Sequence, residues 1–234
     1  MQDRYAGDIG DFVKLGLLRA LSPGRQLGIG WYRFPDEGHN GDGRHVGYLD
    51  DPAGKASRLD PELFHHLRSV VQAERSIRSL LPILGDVRSS DTSLNMTAVS
   101  VNQRRKWRQD WFQSVLDTLS GCDLVFADPD NGLTDDDDRR KGRAAFGKQL
   151  PLAEALALAE GRTAVIYHHN TRRAGGHDAE VDYWISEIKT PTLAVRATAY
   201  SCRTFFVINP DAITADRVKE FCVRWRDMKV YLHQ

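Results

Sequence analysis

Cys122-Asp123-Leu124-Val125-Phe126-Ala127-Asp128-Pro129-Asp130-Asn131-Gly132-Leu133 is the stretch that decides the fold. Its apolar half is short and rich in β-formers, and it stops abruptly in turn chemistry. The pattern predicts a buried strand that delivers a carboxylate to its C-terminal edge, where open α/β sheets place their ligand sites. Pro129 restricts Asp128 to an extended conformation, and Gly132 permits a turn that most residues resist. Asp128, Asp130 and Asn131 then form a polar cluster at the mouth of a sheet. A plainer reading of the same residues is a loop whose Asp and Asn cap the next helix.

Downstream, hydrophobic periodicity predicts a helix over 152–159, a strand over 163–167 and a helix over 179–188. Strands over 193–199 and 204–208 and a closing helix over 215–228 follow. The alternation argues for a largely parallel sheet with helices on both faces. The link Tyr200-Ser201-Cys202-Arg203 is too short for a parallel crossover, so the last two strands are expected to form an antiparallel hairpin at one edge. Upstream, the pattern gives a helix over 11–20, stopped by Ser22-Pro23-Gly24, and a strand over 27–34 that runs into a polar, glycine-rich loop. Asp60-Pro61-Glu62 opens a helix, with further helical stretches over 73–84 and 103–119 and a candidate strand over 94–101. The whole of 1–234 reads as one α/β domain with a helical elaboration at about 56–120.

With 41% hydrophobic and 27% charged residues, the composition is that of an ordinary soluble globular protein. No apolar run approaches the roughly 20 residues that a membrane helix needs, and the first residues lack the pattern of a secretory signal. Cys122, Cys202 and Cys222 form no C-x-x-C pair, so free thiols in a reducing cytoplasm are expected. The 32 basic residues are balanced by 32 acidic ones, so global charge does not announce a nucleic-acid binder. Two local runs, Arg104-Arg105-Lys106-Trp107-Arg108 and the basic residues after Asp135 to Asp138, read as solvated faces. The first, with Trp107 and Trp111 beside it, also suits phosphate tracking.

A strand with a terminal Asp-Pro, two more βα steps and an antiparallel hairpin resembles the second half of a class I methyltransferase fold, a Rossmann-like architecture. At the other end, Ala6-Gly7-Asp8-Ile9-Gly10-Asp11-Phe12-Val13-Lys14 resembles the opening segment of the ribosomal-RNA large-subunit methyltransferase J family. There an Ala-Gly-Asn is followed at matching spacing by Asp and Lys, and an Asp-Pro-Pro-Tyr motif follows the fourth strand. The chain is also similar, over most of its length, to an uncharacterised group of bacterial proteins through Tyr5 to Leu18, Trp31-Tyr32, Pro35-Asp36-Glu37, Asn40 to His45, Phe126 to Leu133 and Tyr167-His168-His169. The resemblance implies S-adenosylmethionine as cofactor and a nucleic acid or nucleotide-like substrate. It implies that Lys14 approaches the cofactor carboxylate and that Asp128 accepts a hydrogen bond from the target amino group. Asp130 and Asn131 stand where the family motif has proline and an aromatic.

That extra carboxylate suits a cation. Asp36, Glu37, His39, Asn40, Asp42 and His45 concentrate potential ligands in the loop after the first strand. A set of Asp36, His39, Asp128 and Asp130 is therefore the alternative site, holding Mg²⁺ or Mn²⁺ for metal-activated hydrolysis of a phosphodiester or phosphoester. His168-His169 ends the strand expected beside the one carrying Asp128, a site role falls to His168 or His169, and His168 is taken as a catalytic candidate. Arg172 and Arg173 fit an anion clamp, and Arg203 enters the last strand from the hairpin. Asp8, Lys14, Asp36, Asp128, Asp130 and His168 are expected to converge on one pocket. No serine elbow and no Walker loop occurs. Methyl transfer, metal-dependent hydrolysis and a non-catalytic binding module on the same fold remain open, as does the oligomeric state.

Overall fold

The strand ending in Asp128 lies inside a seven-stranded sheet in the computed structural model, which describes residues 1–37 and 43–234. The chain opens with α1 (Ile9–Leu21), β1 (Leu27–Trp31), α2 (Lys55–Leu59), α3 (Pro61–Gln72) and β2 (Val87–Ser90). Next come α4 (Arg104–Thr118), β3 (Leu124–Asp128), β4 (Gly132–Thr134), α5 (Asp138–Lys141), β5 (Gln149–Pro151) and α6 (Leu152–Leu158). The last third holds β6 (Thr163–His169), α7 (Gly176–Ile188), β7 (Thr192–Ala197), β8 (Arg203–Ile208), α8 (Ala212–Arg224) and β9 (Val230–Leu232). The sheet order is β2-β1-β3-β6-β8-β7-β9, while β4 and β5 form a small parallel pair of their own.

β1, β3 and β6 are parallel neighbours, and β7 and β8 pair antiparallel, both as their sequences predict. The hairpin does not form the edge, however. β8 is inserted between β6 and β7, antiparallel to both, and β9 covers the outer side of β7. The elaboration at 56–120 is also not purely helical, since it contributes β2, which pairs parallel with β1. Residues 94–101 form no strand; Leu94 and Met96 are buried in an irregular segment tied to β1's exit by the Leu94 N–H on the Arg33 carbonyl at 2.7 Å.

Side-chain alternation sorts the strands into two hydrophobic layers. Leu27, Ile29, Trp31, Leu124, Phe126 and Val165 face one layer with α1, α3 and α8. Val125, Ala127, Ala164 and Ile166 face the other with α4, α6 and α7. Gly28 and Gly30 set how closely α4 approaches. A Cβ on Gly28 would stand 2.8 Å from Cys122 Sγ and one on Gly30 3.2 Å from Val115 Cγ1. These strand glycines serve helix packing. The result is an α/β molecule with a mostly parallel central sheet, compatible with a Rossmann-like fold. Among the described residues no helix is long and apolar enough to cross a membrane.

Candidate functional site

α1 starts where its sequence says it must. Asp8 is the N-cap, accepting the Asp11 N–H at 3.0 Å, and an apolar face follows. Asp11 and Lys14 are three residues apart and so share a face of this helix. That face looks across the C-terminal edge of β3, where the alternation that buries Leu124 and Phe126 in the α1 layer also turns Asp128 toward α1. Lys14 Nζ lies 2.7 Å from Asp11 Oδ1 and 2.7 Å from Asp128 Oδ2, with all three side chains buried. The Gly7 N–H fixes the second Asp11 oxygen at 2.8 Å.

Burial opposes the charge on Lys14, but the two carboxylates outweigh it and hold the ammonium well above its usual range. Burial likewise pushes the Asp128 and Asp11 carboxyls up, against the pull of Lys14. The Trp31 and Tyr167 rings complete the surroundings, each centred 5.7 Å from Nζ. Burial drives the Tyr167 hydroxyl up to about 12.

A cavity of about 280 Å³ opens beside this triad, near the lower end of small-molecule sites. Of the residues expected to converge, Asp8, Lys14, Asp128 and Asp130 line it, and the catalytic candidate Asn131 lines it too. Asp130 is held by the Met1 amine at 2.5 Å and by Gln2 Nε2 at 2.7 Å. The same amine donates to the carbonyl oxygens of Tyr32 and Asp128. Asn131 is exposed at the rim, its N–H on the Lys148 carbonyl.

Two expected members are elsewhere. Asp36 is exposed, outside the lining, and accepts a long 3.4 Å hydrogen bond from the Arg4 N–H. Its neighbour Glu37 takes the place in the lining and pairs with Lys148. His168 points into the opposite layer, fully buried against Trp184 and Phe206. Its Nδ1 accepts the Leu133 N–H at 3.0 Å, so Nε2 carries the proton and donates to Glu180 Oε1 at 3.2 Å. Glu180 also accepts from Asn170 Nδ2 and from the Thr171 N–H and hydroxyl. Burial pushes this carboxyl up, but the bonds from His168 and Thr171 prevail and hold it down to about 2. His168 is therefore a structural tie, and the neighbouring His169 lines the cavity instead.

The four-residue metal set does not assemble as expected. His39 lies outside the described residues, Asp36 is outside the lining, and the ammonium of Lys14 and the Met1 amine stand where a cation would have to approach Asp128 and Asp130. Among the described residues no group of three His, Cys, Asp or Glu side chains is placed to hold a metal ion.

Residue-by-residue reading missed Asp11, Tyr167, Lys148 and the depth of Arg203, all of which line the cavity. Signals existed for two of them: Asp11 shares a helix face with Lys14, and Tyr167 shares a strand face with His169. Arg172 and Arg173 do not contribute to the lining; both are exposed, and the Arg173 guanidinium sits 3.5 Å over the Tyr183 ring. The donor set suits an amino-acid zwitterion. Lys14 uses two N–H groups on its carboxylates, and among the described residues its third hydrogen-bond partner is the weak Met1 sulfur at 3.8 Å, so it can still meet a ligand carboxylate. Asp8 and Glu37 in the same lining suit an ammonium group. No protein-family model matches this chain, and no curated protein sequence matches it significantly.

Proposed function

We propose that the chain is an S-adenosylmethionine-dependent methyltransferase acting on an amine-bearing acceptor of the nucleic-acid or nucleotide type. One observation carries the reading. Lys14 and Asp128, the two residues to which the family resemblance assigns cofactor and acceptor roles, meet at 2.7 Å across a separation of 114 residues at one cavity. The class I methyltransferase arrangement fits the order of the later strands, with a hairpin following the Asp-Pro strand and two βα steps.

When bound, S-adenosylmethionine supplies the electrophilic methyl group. Lys14 would hold its carboxylate, with Asp8 or Glu37 on its amino group. Lys14 has a second task, which is to keep the buried Asp128 carboxylate charged and aimed. Asp128 accepts a hydrogen bond from the acceptor amine and raises the electron density on its nitrogen. This interaction strengthens as positive charge develops there, so it lowers the barrier more than it tightens binding.

Calorimetry and turnover with Asp128→Asn test this. The variant keeps the side-chain shape but loses the anion. Cofactor affinity is expected to stay within about threefold while the rate falls by about 100-fold, the size of effect seen when one transition-state contact is lost. Wild-type protein that fails to bind S-adenosylmethionine at all would overturn the reading.

A further inference from the structure

Arg203 opens β8. Because β8 runs against β6, this first residue arrives at the same sheet edge as Asp128, in register with His169. The residue is only 5% exposed. Among the described residues it forms no ion pair; its Nη2 donates to Ser201 Oγ, and its Nε has no partner. A buried guanidinium with no carboxylate in direct contact is costly, and lining a cavity is the circumstance in which a ligand can supply that contact.

The guanidinium rests on the first turn of α1. A Cβ on Gly10 would come within 2.8 Å of Nη1, 2.9 Å of the Asp8 Oδ1 that caps the helix and 3.0 Å of Cζ, so glycine is what lets the guanidinium reach the helix beside that carboxylate. At this position a helix leaves its N–H without an intrahelical acceptor. The flanking N–H groups are taken, Ile9's by the His45 carbonyl and Asp11's by Asp8, whereas the Gly10 N–H has no partner among the described residues. An open helix N–H and an unpaired buried guanidinium thus border one cavity, a combination built for an oxyanion.

We propose that Arg203 and the Gly10 N–H form an oxyanion subsite that takes a single phosphate group of the acceptor. The subsite stands independently of the methyl-transfer reading; its assignment to the acceptor rests on that reading. In the sheet, β8 is two strands from β3, roughly 10 Å at ordinary strand spacing. That is about the reach from the phosphate of a mononucleotide to the far edge of its base, which would then stand at Asp128. The carboxylates of Asp8 and Asp128 in the same lining favour one phosphate over a polyphosphate.

Titrating inorganic phosphate into isotope-labelled protein in phosphate-free buffer tests the subsite. The Gly10 amide resonance is expected to shift and saturate, and Arg203→Met to weaken the dissociation constant by about tenfold or more. Shifts that spread over the surface without saturating, or that Arg203→Met leaves unchanged, overturn it. The wild-type amide map decides the point even if that variant does not fold, and Gly10→Ala crowds the same place from the other side. Adenosine 5′-monophosphate and adenosine then identify the source of the phosphate. The monophosphate is expected to bind about tenfold tighter, an advantage that Arg203→Met removes while S-adenosylmethionine affinity is kept. A variant that loses S-adenosylmethionine instead, with the nucleotide preference intact, overturns the acceptor assignment. Saturable phosphate binding at Gly10 in a protein that binds no S-adenosylmethionine keeps the subsite and removes the methyl-transfer reading.

Discussion

Lys14 is the residue on which the buried charges depend. Replacing it with Met keeps most of the volume but removes the cation that sits between Asp11 and Asp128, leaving the Met1 amine as the charge beside Asp128. Removing one partner from a buried ion pair costs about 3–5 kcal/mol, and urea unfolding of Lys14→Met is expected to show a loss of that order. Glu180 gives a second prediction, in pH. Its carboxyl titrates near 4.5 when unfolded and near 2 in the fold. Between those values the unfolded chain binds more protons, so the stabilisation is present above pH 4.5 and is lost as pH falls through 2. Glu180→Gln is expected to flatten the fall in stability across that acid range, read as denaturation midpoints at successive pH values. At neutral pH the same change costs about 1–3 kcal/mol, since donors from His168 and Thr171 lose their charged acceptor.

At the scale of elements, β4 leaves the end of β3 through Gly132, whose φ is 87°. A Cβ there would lie 2.4 Å from His168 Nδ1 and 2.6 Å from its Cα. Gly132→Ala is therefore expected to destabilise by about 2 kcal/mol or more, through positive φ and collision together, measured as a lowered urea midpoint at unchanged slope. The strand-to-turn switch at Asp128 was legible because β-formers stop there and turn residues begin. So were α1, with its cap, and the β1-β3-β6 core, whose apolar runs are short and bounded. β2 was not, because Val87-Arg88-Ser89-Ser90 is too polar to announce a strand at the sheet edge. The apolar spacing of 94–101 imitated one nearby. Which of His168 and His169 lines the cavity was not legible for a related reason. A strand buried on both faces gives no polar alternation to say which of two adjacent histidines faces the site. Arg108 stood in a run that reads as solvated, yet it is buried on Glu154; only the position of α6 decides that.

Across the whole molecule, protection should follow sheet position. β3 and β6 are paired on both sides, whereas β2 and β9 are edges. Native-state hydrogen exchange is expected to find the slowest amides in β3 and β6 and faster ones in β9, which has three residues and one neighbour. Equal protection in β9 and β3 would contradict the sheet order. The site depends on this same long-range assembly. Lys14 and Asp128 are 114 residues apart, and the chain adds Arg203 to the cavity later still. At ribosomal speeds of about 5–20 residues per second, Lys14 waits roughly 6–23 s for Asp128 to be made. During that interval Asp11, three residues away on the same helix, is its nearest counter-ion. α1 thus emerges with its charge already half matched, and the pair keeps a cation destined for the interior in company until the rest of the chain arrives.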